Sequence, residues 1–209
     1  VAIPGDVIAR FWAHTGGMSR FAPRRLCQRL FDLSLLAGYR RDPDLITLHD
    51  VSRRYLREQT TSRRADLDAA IVDAHRDLST PDQGLGRAWA DVPGEYGYLW
   101  SWLATHLHAA GLDHELDAVL TDPRWLVSKL AHVGPAGLEA DLQLTNRPVC
   151  RALATVVRQN APLLGALTPA GSLAATFASR LPDDEDLIEL REQIYATIEG
   201  PHLRTAVPP

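Results

Sequence analysis

The chain has 209 residues, 45% of them hydrophobic, and a formal net charge of −4, which is enough for one large buried core or two small ones. No apolar run approaches the roughly 18 residues that a membrane-spanning helix requires, and the N-terminus lacks the basic, apolar, small-residue order of a signal peptide. The two cysteines, Cys27 and Cys150, make neither a CxxC pair nor a disulfide framework; that usage suits a reducing cytoplasm, and both read as small core residues.

The charge is uneven. Val1 to Glu58 holds ten arginines against six acidic residues, +4, so the remainder carries −8. In this first part, "IPGDVIARFWAH" predicts a helix with Asp6 as its cap and Val7, Ile8, Phe11 and Trp12 at helical spacing. A second helix is expected from near Ser19, with Leu26, Leu30 and Leu33 as its apolar stripe and Arg24, Arg25 and Arg29 largely off it. The period then changes. Leu35 to Arg40 and Leu45 to Leu48 are β-prone runs flanking "RRDPD", where Pro43 and the aspartates favour a tight reversal, so a β-hairpin is expected. "VSRRYLREQ" follows as a third helix, with Asp50 as its N-cap. Helix, helix, hairpin, helix is the order of a winged-helix domain.

From "TTSRR" onward every convincing element is helical, and Gly111, Asp122, Pro123, Gly134 and Pro135 punctuate the helix ends. The predicted architecture is therefore mainly α: a winged helix with one small β-hairpin over 1–59, then antiparallel helical hairpins over 60–209. A short helical solenoid fits the same pattern. Trp100, Trp102 and Trp125 are expected in the core, beside Leu99, Leu103, Leu107, Leu126 and Leu130. The start at Val1 and the Pro-rich end "TAVPP" read as a piece of something longer.

The parts of an enzyme are missing. There is no GxxxxGK[ST], and Lys129, the only lysine, lies in an amphipathic helix without the glycines of a phosphate loop. His106, His108 and His114 crowd together, but positions two apart on a helix do not face each other, and no HExxH or cysteine accompanies them. They read as solvated surface histidines, with no metal. No GxSxG supports a serine hydrolase. The alternative from the residues alone is a DNA-binding regulator, with Arg24, Arg25 and Arg29 on the helix before the hairpin, Arg40 and Arg41 in the wing, and a helical dimerisation or ligand domain behind. Asp32, the two wing aspartates and the acidic whole argue against duplex DNA.

"LHD", Leu48 to Asp50, at a hairpin-to-helix junction resembles the third signature of the NB-ARC type of STAND ATPases. The block "YLWSWLATHLHAAGLDHELDAVLTDPRWLVSKLAHVGPAGLEADLQL", followed by "VVRQNAPLLG", resembles the second helical domain of apoptotic protease-activating factors and of bacterial WD-repeat relatives. Within it "RWLVSKLAHVGPAGL" carries tryptophan, lysine and the Gly-Pro break in order and spacing. The resemblance implies an ATPase domain upstream of the winged helix, a WD-repeat propeller downstream of the helical domain, and self-association on activation. It implies ADP or ATP as the cofactor of the upstream domain and none in this segment. His49 then matches the histidine that reaches the ADP β-phosphate, with Leu48 and Asp50 as its supports.

Overall fold

The computed structural model describes residues 2–19, 22–81, 87–165 and 172–198; the "TAVPP" end lies outside them. The chain divides into two compact units, residues 1–77 with 109–112 and residues 78–108 with 113–209. Residues 60–77 therefore pack with the first unit.

In the first unit, α1 (Gly5–Gly16) and α2 (Ala22–Asp32) precede a hairpin of β2 (Leu36–Arg41) and β3 (Asp44–Leu48), and α3 (Asp50–Gln59) and α4 (Arg64–Asp73) follow. The predicted order holds, and one strand is added. β1 (Ile3–Pro4) pairs antiparallel with β3, Ile3 opposite Ile46, making a three-stranded sheet in the order β1-β3-β2. The core is small. Cys27, Leu36 and Ile46 are buried, and Ile8 and Trp12 of α1, Leu30 of α2, Tyr39 and Leu48 pack around them. Their spacings, i and i+4 on α1 and i and i+3 on α2, put one face of each helix on the sheet. Cys27 is thus a core residue, and burial pushes its thiol above the ordinary range.

Three local expectations change. Asp6 lies within the first turn of α1, whose N-cap is Pro4, with no side-chain cap. Leu33 falls beyond α2 and is 60% exposed. At α3 the N-cap is His49, and Asp50 is the first helical residue. The wing turn is also more than a linker: the Asp44 carboxylate pairs with Arg24 Nε at 2.9 Å, and a Cβ on Gly5 would come within 2.4 Å of its Cγ. α4 joins the same unit beside α1. The turn after it is tied by Arg10 Nη1, which donates to both carboxylate oxygens of Asp77 at 2.7 and 2.9 Å.

The second unit opens with a short ribbon, Thr80 opposite Ala88. Helices follow: α5 (Gly97–Ala109), α6 (Asp113–Thr121), α7 (Pro123–His132), α8 (Pro135–Leu142), α9 (Pro148–Gln159), α10 (Ser172–Ser179) and α11 (Glu185–Ala196). Neighbours pack in pairs, α6 with α7, α7 with α8, α8 with α9, and α10 with α11. α7 also meets α10 and α11. A solenoid repeat touches only its neighbours, so this is a bundle around α7 instead.

The centrality of α7 explains the residues of "RWLVSKLAHVGPAGL". Its cap is Asp122, which accepts from Arg124 N at 2.8 Å, with Pro123 in the first turn. Trp125, Leu126, Lys129 and Leu130, at i, i+1, i+4 and i+5, are all buried. Trp100 of α5 stacks on Trp125 at 4.6 Å and on His132 at 4.7 Å between ring centroids, and its Nε1 donates to Pro93 O at 3.3 Å. Trp102, in contrast, is 40% exposed. Positions two apart on a helix point to different sides, so it cannot share the face of Trp100.

Lys129 is fully buried. Its Nζ lies 2.6 Å from Asp141 Oδ2 on α8 and donates to the carbonyls of Trp100 and Ser101 on α5. Among the described residues Asp141 Oδ2 has no partner apart from that ammonium. Burial raises the Asp141 carboxyl to about 6, and Lys129 opposes that rise. One ammonium thus pins α5, α7 and α8.

Between α7 and α8 the backbone turns at Gly134, φ +89° and ψ 177°, a region that only glycine enters without strain. Gly134→Ala should lower the stability of the helical unit by about 1–3 kcal/mol, seen as a lower urea midpoint by tryptophan fluorescence. An unchanged midpoint would show that the turn relaxes. Gly137 has a different reason, since a Cβ there would come within 2.3 Å of Val133 Cγ1.

Candidate functional site

The β3–α3 junction is built so that one histidine stands out from a fixed frame. β3 is the central strand of the sheet, and its last residue, Leu48, is opposite Leu36 and packs on the Cys27–Leu36–Ile46 core. His49 follows in extended backbone, φ −59° and ψ 146°, and its carbonyl accepts from Arg53 N at 2.9 Å, closing the first turn of α3. Strand and helix therefore hold its backbone on both sides. Its side chain is exposed and makes no hydrogen bond or ion pair among the described residues.

The two neighbours divide in role. Leu48 anchors the junction by packing. The Asp50 side chain is 92% exposed and faces Arg53 Nη1 at 3.4 Å, while Arg53 Nη2 donates to the Leu48 carbonyl at 3.4 Å. Asp50 thus orders Arg53 across the base of the junction and, as an acid in the first turn, suits the positive end of the α3 dipole.

The helix that follows His49 carries open apolar side chains. α3 has no buried residue, and Val51, Tyr55 and Leu56 are 70%, 59% and 46% exposed. Phe31, Leu33 and Leu35, at the end of α2 and before β2, are exposed as well. Val51 and Tyr55, four apart, share one exposed face of α3. The pattern V-x-x-x-Y-L was available in the sequence, but nothing there told which way the helix faced.

The other candidate groups resolve differently. His106 is buried, not solvated; its Nε2 lies 2.9 Å from the Tyr98 hydroxyl. His108 and His114 are exposed. Among the described residues no group of three His, Cys, Asp or Glu side chains is poised for a metal ion, and no helix is long and apolar enough to cross a membrane. Cys150 is fully buried, with its thiol raised to about 11 by burial, so a thiolate is not at hand. Of the arginines offered to DNA, Arg24 is tied to Asp44 and Arg41 Nη2 donates to Gln28 Oε1 at 2.9 Å.

Residues 86–169 match the protein family described as the APAF-1 helical domain. Apoptotic protease-activating factor 1 of Rattus norvegicus is 32% identical over 93 residues, which is 44% of this chain and 7% of that protein. The chain thus spans a small part of the relative it matches. Apart from residues 109–112 the matched range lies in the second unit, and it spans the Trp100–Trp125–His132 stack, the Lys129–Asp141 pair and the Gly134 turn. This chain contains a helical segment homologous to the APAF-1 helical domain.

Proposed function

We propose that the chain is the regulatory and connecting segment of a STAND (NB-ARC) signalling ATPase. In this reading residues 1–59 are the winged helix and 60–209 the helical domain. The winged helix reads ADP bound to an upstream ATPase domain, with His49 as the phosphate contact and Leu48 and Asp50 as its supports. The helical domain links that element to a C-terminal sensor, a WD-repeat propeller. ADP and ATP belong to the upstream domain, catalysis lies outside this segment, and loss of ADP releases the array to self-associate. The likeness of residues 86–169 to the APAF-1 helical domain supports the family part.

The observation that carries the reading is the β3–α3 junction: an exposed, unpaired histidine on a fixed backbone, beside a helix whose apolar residues are uncovered. An N–H from such a histidine to phosphate is a charge-assisted bond worth about 1.5–3 kcal/mol. The apolar face of α3 is what a neighbouring domain would cover to bring its nucleotide to His49.

Val51→Cys tests that cover. Both native cysteines are buried, so the introduced thiol alone should react quickly with an exposed-thiol reagent in the 209-residue chain. In the longer ATPase-containing protein with ADP bound, its labelling should slow by roughly 10-fold or more, and recover when ADP is removed. Equal labelling of the two forms would contradict the proposal.

A further inference from the structure

A concavity lies on the winged-helix unit, between α2 and β2, with a volume of about 410 Å³. α2 lines it with Arg25, Gln28, Arg29 and Asp32, whose spacing of i, i+3, i+4 and i+7 puts them on one helix face. β2 supplies Tyr39 and Arg41, two apart and so on one face of the strand. The floor is ordered. Arg41 Nη2 donates to Gln28 Oε1 at 2.9 Å, and Gln28 Nε2 donates to Asp32 Oδ1 at 2.7 Å.

The charges there are not balanced. Arg24, at the lip, is answered by Asp44. Arg25 and Arg29 have no hydrogen bond or ion pair among the described residues. They stand four apart on one helix, where like charges repel. With Arg41 they face Asp32 alone, which leaves the groove with two uncompensated positive charges. Guanidinium forks suit the geometry of a phosphate group and can bind it through paired N–H donors.

We infer that the groove is an oxyanion site for a phosphomonoester dianion, either inorganic phosphate or the terminal phosphate of a nucleotide. The dianion matches the two unanswered charges, and the Tyr39 hydroxyl adds a donor across from α2. Duplex DNA fits less well, because a ladder of phosphates running on beyond the groove would meet Asp42 and Asp44 of the wing turn. The inference does not rest on the role of His49, and its test needs only the 209-residue chain.

The test is an NMR titration of arginine Nε–H signals with sodium phosphate and, separately, AMP, with chloride holding ionic strength constant. Arg25 and Arg29 should shift and saturate in the millimolar range or below. Arg25→Ala/Arg29→Ala should weaken phosphate binding at least about 10-fold with an unchanged thermal midpoint, since both side chains are exposed and unpaired. Asp32→Asn should tighten it. Moving from about pH 7.5 to about pH 5.5 should weaken binding, because the second phosphate proton is taken up near pH 6. Tighter binding of AMP than of phosphate identifies a nucleotide as the source, and equal binding identifies the phosphate group alone. Shifts that never saturate, or binding that survives the double substitution, would overturn the inference. So would duplex DNA binding that is sequence-selective and lost with the same two arginines.

Discussion

Lys129→Met should destabilise the helical unit by about 3–5 kcal/mol near pH 8, the cost of leaving one member of a buried ion pair alone. Among the described residues the ammonium is the sole partner of Asp141 Oδ2, and it bridges α5, α7 and α8. The loss should depend on pH in a particular direction. The Asp141 carboxyl is raised to about 6 from 3.8, so its folded form binds more protons than its unfolded form. Its contribution to stability is full below pH 3.8 and is lost as pH rises through about 6. Without Lys129 that pKa must rise further, because the one effect opposing burial is gone. The mutant's deficit should therefore shrink at about pH 4.5, where Asp141 is protonated and needs no cation.

Lys129→Met/Asp141→Val should restore most of the lost stability, since an apolar replacement of both partners removes the desolvation penalty. Urea unfolding followed by Trp100 and Trp125 fluorescence measures all three cases, as both rings lie in this unit's core. A single mutant within about 1 kcal/mol of wild type at pH 8 would show that the buried pair does not hold these helices together. A deficit that does not change with pH would show that Asp141 is not the group left stranded.

The long periodic helices were legible because their apolar residues repeat at the period of the structure they form. The hairpin was legible because Pro43 and its aspartates mark a reversal between two β-prone runs. β1 was not, since a two-residue strand has no period and its partner, Ile46, is distant in sequence. The burial of Lys129 had a visible trace: it stands in the stripe of Trp125, Leu126 and Leu130. A lysine in such a stripe reads as a helix edge until its acceptor is known, and Asp141 sits on the next helix. Trp102 reads as a core residue from its apolar neighbours, but its angle from Trp100 turns it to another side of the helix. At the candidate site the triplet Leu48–His49–Asp50 was visible as a motif, but not the shift of the N-cap to His49, which depends on where the strand ends. The open face of α3 depends on what the rest of the unit leaves uncovered, and so does the groove beside Arg25 and Arg29.

In the proposed STAND ATPase, His49 would contact ADP only in the closed state. A contact made in one state alone shifts the balance between states by its own free energy. His49→Ala removes about 1.5–3 kcal/mol from the closed form, which should weaken ADP retention by roughly 10- to 150-fold. ATP affinity should change much less, and the population should move toward an open, self-associating form. His108→Ala, an exposed histidine on α5, serves as the control and should leave ADP in place. The decisive measurement is the rate of ADP release from the proposed ATPase-containing protein, wild type against His49→Ala, with sedimentation of the same samples. Faster release, with loss of the closed species, is expected in the His49 variant alone. Retention of ADP at the wild-type rate, with the closed form unchanged, would contradict it.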